Sequence, residues 1–440
     1  MQQPVTDSSE HDPYSALRYV DCRRFLIGYF VAVIGSQIQN TAVDWEIYSR
    51  TGKAMSLGWA GLVQALPVML LSVPAGQLAD VISRRRILIF SQVGAACCSL
   101  LLAWLSYSQG GVGWMYAILG LGSTFQAIGW PARSALLAST VPNEHFSNAA
   151  TWNSMSYQTG TVLGPALAGL ILIRSTIAAY LLNCIFAASF VVILLGLIEQ
   201  PIVKKAAATS WETFSAGIQF VRKTRIILAI ISLDLFAVLL GGATSLLPIF
   251  ATKILHVGSV GFGWMRAAPA VGAVMMALII AHLPPMKRAG RSLLLAVAAF
   301  GVATIVFGLS KSFWLSVAML FLTGAFDAVS VVVRHTLVQV LTPDNMRGRV
   351  SAVSNIFIGA SNELGGWESG LTAQYFGPII SVVGGGIGTL VVVIATALIW
   401  PEVRKFGSLK DAVPIPATPP PPAPDASSAE FAAQAIDEHE

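Results

Sequence analysis

Charged side chains are scarce in this sequence. Only 11% of its 440 residues are Asp, Glu, Lys or Arg, whereas 55% are hydrophobic. A water-soluble protein of this length needs more charge to cover its surface, so the composition excludes a soluble globular domain. The composition predicts a protein whose solvent is lipid.

The sequence also has little of what catalysis and metal binding require. Its four cysteines and six histidines show neither metal-ligand spacing nor a nucleophile motif. No GxxxxGK[ST] phosphate-binding loop is present, which argues against an ATP-driven pump. Basic residues are dispersed between apolar runs, which argues against nucleic-acid binding. We expect no catalytic residue, no metal and no cofactor.

Long apolar runs are what the sequence does contain. A helix crosses a bilayer with about 20 apolar residues, and twelve runs of that order alternate with polar segments. They lie near residues 25–48, 57–79, 87–107, 114–138, 149–173, 177–197, 226–250, 260–282, 292–309, 313–340, 350–373 and 378–400. The prediction is an all-α membrane protein of twelve transmembrane helices, embedded in the lipid bilayer.

Polar segments divide the chain into five parts. These are an N-terminal segment (1–22), a first six-helix bundle (23–198), a linker (199–225), a second six-helix bundle (226–401) and a tail (402–440). Trp211, Phe214, Ile218 and Val221 recur at helical spacing in the linker, which predicts an amphipathic helix at the membrane interface. The tail is proline-rich and then acidic, a composition that favours disorder.

Lys and Arg are distributed unevenly between alternate segments. Of the 27, nineteen fall in one set of loops and the termini, five in the other set, and Arg133, Arg266 and Arg334 within spans. Because cytoplasmic loops are enriched in these residues, both termini are predicted to be cytoplasmic.

The two halves of the chain repeat each other. Gly58-Trp59 and Gly263-Trp264 each open a second span, and Arg133 and Arg334 each stand nine residues before a proline at the end of a fourth span. Repeats of six spans share one orientation and are related by an axis along the membrane normal. The prediction is two pseudo-symmetric bundles.

Two motifs are specific enough to suggest a function. Between the second and third spans, Gly76-Gln-Leu-Ala-Asp80 is followed by Arg84, Arg85 and Arg86. Gly76 permits close backbone approach, Asp80 can cap a helix or pair with a cation, and the arginines anchor the loop at the headgroups. A basic loop alone explains the arginines but not the Gly-x-Leu-Ala-Asp.

The second motif lies in the fifth span. Its members are Gly160, Gly164, Pro165 and Gly169. Small residues four apart allow close helix packing, and a proline bends the span. Taken alone, this spacing is most often a packing motif.

These motifs resemble those of the major facilitator superfamily. Residues 76–86 are similar to its signature loop, although Val81 and Ser83 replace the usual arginine and glycine. Residues 160–169 resemble the motif of its proton-coupled exporters. The stretch 334–370 resembles the branch that contains the enterobactin exporter and bacterial drug efflux proteins, and the resemblance covers residues 18–400.

The resemblance implies a secondary active transporter and no enzyme. By this resemblance, two bundles rock about a central cavity, and the loop of residues 76–86 latches one side. Inward proton flow drives export across the bacterial inner membrane. The cargo is a small amphipathic molecule, a siderophore or drug-like compound. Arg133 and Arg334 either join this latch or snorkel to the headgroups. The expected partners are this substrate, protons and lipid, with a monomeric protein. Alternatives are a facilitator without proton coupling, a lysophospholipid flippase and a non-transporting sensor.

Few charged side chains lie within the spans. A carboxylate at the bilayer centre costs about 2.5 to 3.5 kcal/mol, so each is retained for a reason. Asp234, which has no evident cation at its depth, and Glu363 are the first candidates for proton coupling or substrate contact. Glu368, Arg266 and Asp327 are further candidates. The alternatives are structural: Glu363 or Glu368 bridges to Arg266, and Asp327 joins a local network with Arg334.

Polar residues of the first span form one helical stripe. Its members are Gln37, Thr41, Asp44 and Tyr48. This stripe predicts a cavity wall to which Gln37 and Asp44 contribute substrate or proton contacts. Glu46, four residues before Arg50, is predicted to form an exposed ion pair.

Overall fold

A computed structural model describes residues 12–197, 211–284, 286–344 and 346–407. Within these ranges, the side chains of residues 72, 73, 79, 80, 211–214, 352, 355, 356 and 360 are outside the description. The start of the predicted N-terminal segment, much of the linker and most of the predicted disordered tail therefore lie outside the described residues.

Six long helices precede the linker. They are α1 (Val20–Thr51), α2 (Ala54–Val81), α3 (Arg84–Tyr107), α4 (Val112–Ser139), α5 (Phe146–Ile171) and α6 (Thr176–Leu195). A short 3-10 helix, Ser15–Arg18, comes before α1. Gly52 ends α1 with φ of 63°, a left-handed conformation that glycine adopts without a Cβ clash.

The linker region and second half are also helical. They contain α7 (Trp211–Lys223), α8 (Arg225–Leu240), the single turn α9 (Leu247–Ile249), α10 (Gly258–His282), α11 (Ala289–Leu309), α12 (Phe313–Leu341), α13 (Arg347–Phe376), α14 (Pro378–Ile399) and the short α15 (Pro401–Lys405). The predicted linker helix is α7, in which Phe220 and Val221 are buried and Ile218 is half-buried.

Nine helical segments among the described residues are long and apolar enough to cross a membrane. One of them runs from α8 through α9 to Ile254. The helices α4, α5 and α13 are of similar length but are not among these nine segments.

The two halves pack their helices in the same pattern. In the first half, α1 packs on α5 and α6, α3 on α4 and α6, and α2 on α4. In the second half, α8 packs on α13 and α14, α11 on α12 and α14, and α10 on α12. The main contacts between the halves join α2 to α13 and α5 to α10, which are equivalent pairs under the repeat.

Consecutive long helices run in opposite directions, so their connections lie at two ends. We call them the Gly52 end, with the connections after α1, α3 and α5, and the Arg85 end, with those after α2 and α4. The linker and the connections after α10 and α12 also lie at the Arg85 end.

The seventh predicted span is interrupted by two glycines. Helix α8 stops at Gly241, and the chain continues through a 3-10 turn, α9 and the π turn Phe250–Ile254. Because glycine has no side chain, the backbone can approach α13 closely where it leaves the helix. An ideal Cβ on Gly242 would lie only 2.8 Å from the carbonyl oxygen of Gly365. Irregular backbone at membrane depth is tolerated where it is buried or lines a cavity.

Candidate functional site

A cavity of about 360 Å³ lies between the two halves. The first half contributes α1, α2 and α4, and the second half contributes α8 with the break after it, α10, α11, α12 and α13. Its ionisable wall residues are Asp44, Arg266, Asp327 and Glu363. Neutral polar groups come from Asn40, Gln64, Thr244, Ser245, Thr323 and Asn362. About half of the lining residues are therefore polar or charged, which suits a small molecule that carries both polar and apolar groups.

An ion pair joins the halves at one side of this cavity. Arg266 of α10 pairs with Asp44 of α1, and their side chains are 23% and 19% exposed. The structure pairs Arg266 with Asp44, a partner that the alternative of a bridge from Glu363 or Glu368 did not include: α1 approaches α10 closely enough for Asp44 to bind the guanidinium. Counting residues along each helix gives the depth of a side chain but does not reveal which helices lie next to each other.

Glu363 lines the cavity beside this pair. Its carboxyl group lies against Gly61 of the first half, where an ideal Cβ would be 3.5 Å from Oε2. Glu363 is half-buried and forms no ion pair within the residues that the structure describes. Glu368 is not part of the cavity wall.

Asp327 of α12 faces the same cavity and also a smaller one. This second cavity holds about 10 Å³, the size of one water molecule, and is lined by both Asp327 and Asp234. Asp327 has no ion pair among the described residues. The predicted local network of Asp327 with Arg334 is wrong, because a different carboxylate binds that arginine.

Arg334 pairs with Asp234 inside the second half. The two side chains are 4% and 9% exposed. Asp234 lies nine residues from the start of α8 and Arg334 seven from the end of α12, so a rise of about 1.5 Å per residue gives both a similar depth. This corrects the expectation that Asp234 has no cation at its depth. It also corrects the expectation that Arg334 latches or snorkels.

The two halves meet closely at the Gly52 end. The rings of Trp45 and Phe262 stack at 5.5 Å between centroids, and Lys253 lies 5.8 Å from the ring centre of Tyr48. Two glycine contacts complete this interface. An ideal Cβ on Gly263 would lie 2.5 Å from the Pro165 carbonyl oxygen and 2.8 Å from Gly169 Cα, and one on Gly370 would lie 2.8 Å from Gly58 Cα.

The glycines of the fifth-span motif serve two different contacts. Gly160 and Gly164 pack against α1, where ideal Cβ atoms would lie 2.5 Å from Val33 Cγ1 and 2.3 Å from Gln37 Cβ. Gly169 instead contacts Gly263 of the other half. Gln37 packs against α5 at its Cβ and is absent from the cavity wall, contrary to prediction, while Asn40 and Asp44 are in the wall.

The predicted latch residues lie at the Arg85 end. Gly76 has nothing within 4 Å of an ideal Cβ among the described atoms, so the expected close backbone approach is not formed. The Asp80 side chain lies outside the described residues. Arg85, between Arg84 and Arg86, donates to the carbonyl oxygen of Leu195, and the Arg133 guanidinium lies 4.8 Å from the ring centre of Tyr29. Latching by these residues remains a prediction.

A buried polar network ties three helices of the first half together. Glu46 is 5% exposed, pairs with Arg50 at 2.5 Å and accepts a 2.6 Å hydrogen bond from the Tyr180 hydroxyl. Arg50 also donates to the carbonyl oxygen of Gly110 at 2.8 Å. The predicted exposed pair is therefore buried: α6 packs on α1, and the Arg50 guanidinium donates to the carbonyl oxygens of Ser106, on α3, and of Gly110, just after it.

Comparison with known proteins identifies the family. The family model described as transmembrane secretion effector matches residues 11–423. The chain belongs to this family. The resemblance to the major facilitator superfamily is thereby confirmed, and the protein is a membrane-embedded transporter rather than an enzyme.

Curated relatives of this secretion effector are exporters. The chain is 23% identical over 395 residues to the enterobactin exporter EntS of Escherichia coli O1:K1, and the match covers 87% of this chain and 92% of that protein. It is 24% identical over 397 residues to EntS of Shigella flexneri, with the same coverage.

Solved structures share the fold at low sequence identity. The nucleoside transporter NupG has a TM-score of 0.72 at 13% identity, covering 88% of this chain and 99% of its own. A D-xylose-proton symporter has a TM-score of 0.67 at 13% identity, covering 91% and 100%. An inward-facing bacterial homologue of the lysosomal transporter Spinster has a TM-score of 0.64 at 14% identity, covering 90% and 99%.

Proposed function

We propose that this protein is a proton-driven exporter of a small amphipathic molecule, a siderophore or drug-like compound, across the bacterial inner membrane. The observation that carries the proposal is the Asp44–Arg266 ion pair, which joins the two halves at the wall of the central cavity. The exporter relatives support the direction of transport.

In this proposal all twelve long helices cross the membrane and the protein acts as a monomer. The polar residues of α13 are compatible with a span, since Ser354, Ser361 and Ser369 are buried inside the protein. The Arg85 end carries most of the Lys and Arg residues, so the positive-inside rule assigns it and both termini to the cytoplasm. The contacts at the Gly52 end then close the cavity toward the outside.

Alternating access makes the ion pair a coupling device. Asp44 and Arg266 lie on different halves, so opening of the Gly52 end separates them. An isolated carboxylate in a low-dielectric cavity is unfavourable, so Asp44 takes up a proton from outside. When the halves close again, Arg266 returns and favours the charged carboxylate, so the proton leaves into a cavity that is open to the cytoplasm. Each cycle carries one proton inward.

The test is transport by the full chain in proteoliposomes, with a pH gradient as the only driving force. Catecholate siderophores, macrolides and cationic dyes are offered one at a time. One proton exchanged per neutral cargo molecule corresponds to about tenfold accumulation per pH unit if the membrane potential is clamped at zero. Asp44→Asn cannot exchange this proton, so the gradient is expected to lose its effect while cargo still equilibrates.

Asp344→Asn is the matched control, because Asp344 is exposed and, among the described residues, pairs with Arg347, three residues later. Wild-type transport that ignores the pH gradient would contradict proton coupling and favour a facilitator or flippase. Cargo binding without any transport would favour a sensor.

A further inference from the structure

The charges of the cavity wall are unbalanced. Asp44 and Arg266 neutralise each other, which leaves Asp327 and Glu363 without an ion pair among the described residues. Arg266, the cation that acts on Glu363, already binds Asp44, and Arg334 binds Asp234. The protein therefore supplies two carboxyl groups to the cavity and no free cation.

These carboxyl groups are built into the wall rather than placed at a surface. Glu363 lies beside Gly61, where an ideal Cβ would be 3.2 Å from the Glu363 carbonyl oxygen and 3.5 Å from its Oε2, so the carboxyl group packs in ordinary contact with the first half. Asp327 lies on α12 between the main cavity and the smaller one. A carboxylate at membrane depth is unfavourable unless a proton or a cation compensates it, so a positively charged ligand is favoured here and an anion is disfavoured.

The remaining wall fits an apolar body. Leu57, Leu119 and Val238 line the cavity, and Phe300 adds an aromatic ring that can receive a cation on its face. The neutral amides of Asn40 and Gln64 offer hydrogen bonds without charge.

We propose that the transported molecule is an amphipathic cation, with a basic amine or quaternary centre on an apolar body, and that its positive charge is bound by the carboxylates of Asp327 and Glu363. This inference rests on the proposed function and narrows its substrate class. It assigns substrate recognition to Asp327 and Glu363 and leaves proton exchange to Asp44.

The test uses two probes of nearly equal shape and opposite charge, tetraphenylphosphonium and tetraphenylborate. Binding of each is measured by equilibrium dialysis to the full chain in lipid nanodiscs, against nanodiscs without protein. We expect saturable binding of the phosphonium only. Glu363→Gln and Asp327→Asn should each weaken it by about tenfold or more, and the double variant should abolish it.

Two further variants separate recognition from folding. Glu363→Asp keeps the charge and is expected to retain most of the affinity, which a packing role for Glu363 does not predict. Glu402→Gln is the matched neutralisation outside the cavity, since Glu402 lies 3.9 Å from Arg225 on the surface. It should leave binding unchanged.

The outcomes distinguish this inference from the proposed function. Equal binding of both probes, binding of the borate alone, or phosphonium binding that survives the double variant would overturn the charge assignment. If proteoliposomes then export a neutral or anionic cargo on a proton gradient, the transport proposal stands. Phosphonium binding that depends on Glu363 and Asp327 but is never followed by transport supports the recognition site and contradicts the transport proposal.

Discussion

Gly263 makes a close backbone contact between the halves, and Gly263→Ala tests whether that contact closes the cavity. The added Cβ would lie 2.5 Å from the carbonyl oxygen of Pro165, whereas ordinary contacts begin near 3.4 Å. This oxygen and the next atom, Gly169 Cα at 2.8 Å, both belong to the backbone, which cannot rotate away as a side chain does. The helices α5 and α10 must therefore separate by roughly 0.5 to 0.9 Å.

The expected magnitude follows from overpacking. An extra methyl group in a well-packed interface costs about 1 to 3 kcal/mol. The cost falls only on the state in which the Gly52 end is closed, so the ratio of open to closed protein rises by about 5-fold to 150-fold. Gly58→Ala should act in the same direction but more weakly, because its Cβ would lie 3.1 Å from the nearest atom, the carbonyl oxygen of Trp367.

The assay is a distance measurement across the Gly52 end. Spin labels at Lys53→Cys and Lys311→Cys report on the two halves, because both positions are exposed loop residues at this end. The four native cysteines are first replaced by serine or alanine. Pulsed electron spin resonance in nanodiscs should show a longer distance gaining population in Gly263→Ala.

The matched control is Gly384→Ala, an exposed position of α14 where an added Cβ meets nothing within 4 Å. It should leave the distance distribution unchanged. If Gly263→Ala gives the wild-type distribution while the protein remains folded, the steric argument is refuted and this contact does not control closure.

Two further predictions concern buried polar pairs. Asp234→Asn leaves the buried guanidinium of Arg334 uncompensated and should lower the free energy of unfolding in detergent by about 3 to 5 kcal/mol. Much of this loss should be recovered when Asp234→Leu is combined with Arg334→Met. An unchanged unfolding midpoint in the single variant would contradict the pairing. Tyr180→Phe removes the hydroxyl that donates to Glu46 and should lower the free energy of unfolding by about 1.5 to 3 kcal/mol in the same assay. The control is Tyr107→Phe, which should have no effect because Tyr107 is 78% exposed. Equal effects of the two variants would show that the buried hydrogen bond is not formed.

The positions of the long helices follow from the sequence because apolar run length is a local property. Predicted and observed helices overlap throughout the described residues, and most ends differ by only a few residues. The main exception is the predicted span 226–250, which stops at Gly241 and resumes irregularly. The Gly241-Gly242 pair was an available signal, since two adjacent glycines weaken a helix interior.

The partners of the charged side chains could not be predicted in the same way. Asp234 and Arg334 are 100 residues apart in sequence, and Asp44 and Arg266 are 222 apart, so only the packing of the helices determines which charges meet. The polar stripe on the first span did identify Asp44. It failed for Gln37, because the helical face of a residue does not reveal which neighbour covers it.

The paired contacts at the Gly52 end have the form of a dimer interface. The second helix of each half packs on the fifth helix of the other half, so the same contact occurs two times. Two copies of a six-helix protein related by a two-fold axis would make the same pair of contacts. In such a dimer every charge would occur in duplicate. Aligning the repeat at Gly58 and Gly263 gives Arg266 the counterpart Gly61, the residue against which Glu363 packs. Within one chain the two equivalent positions can differ, so one carries a cation and the other leaves room beside an acid.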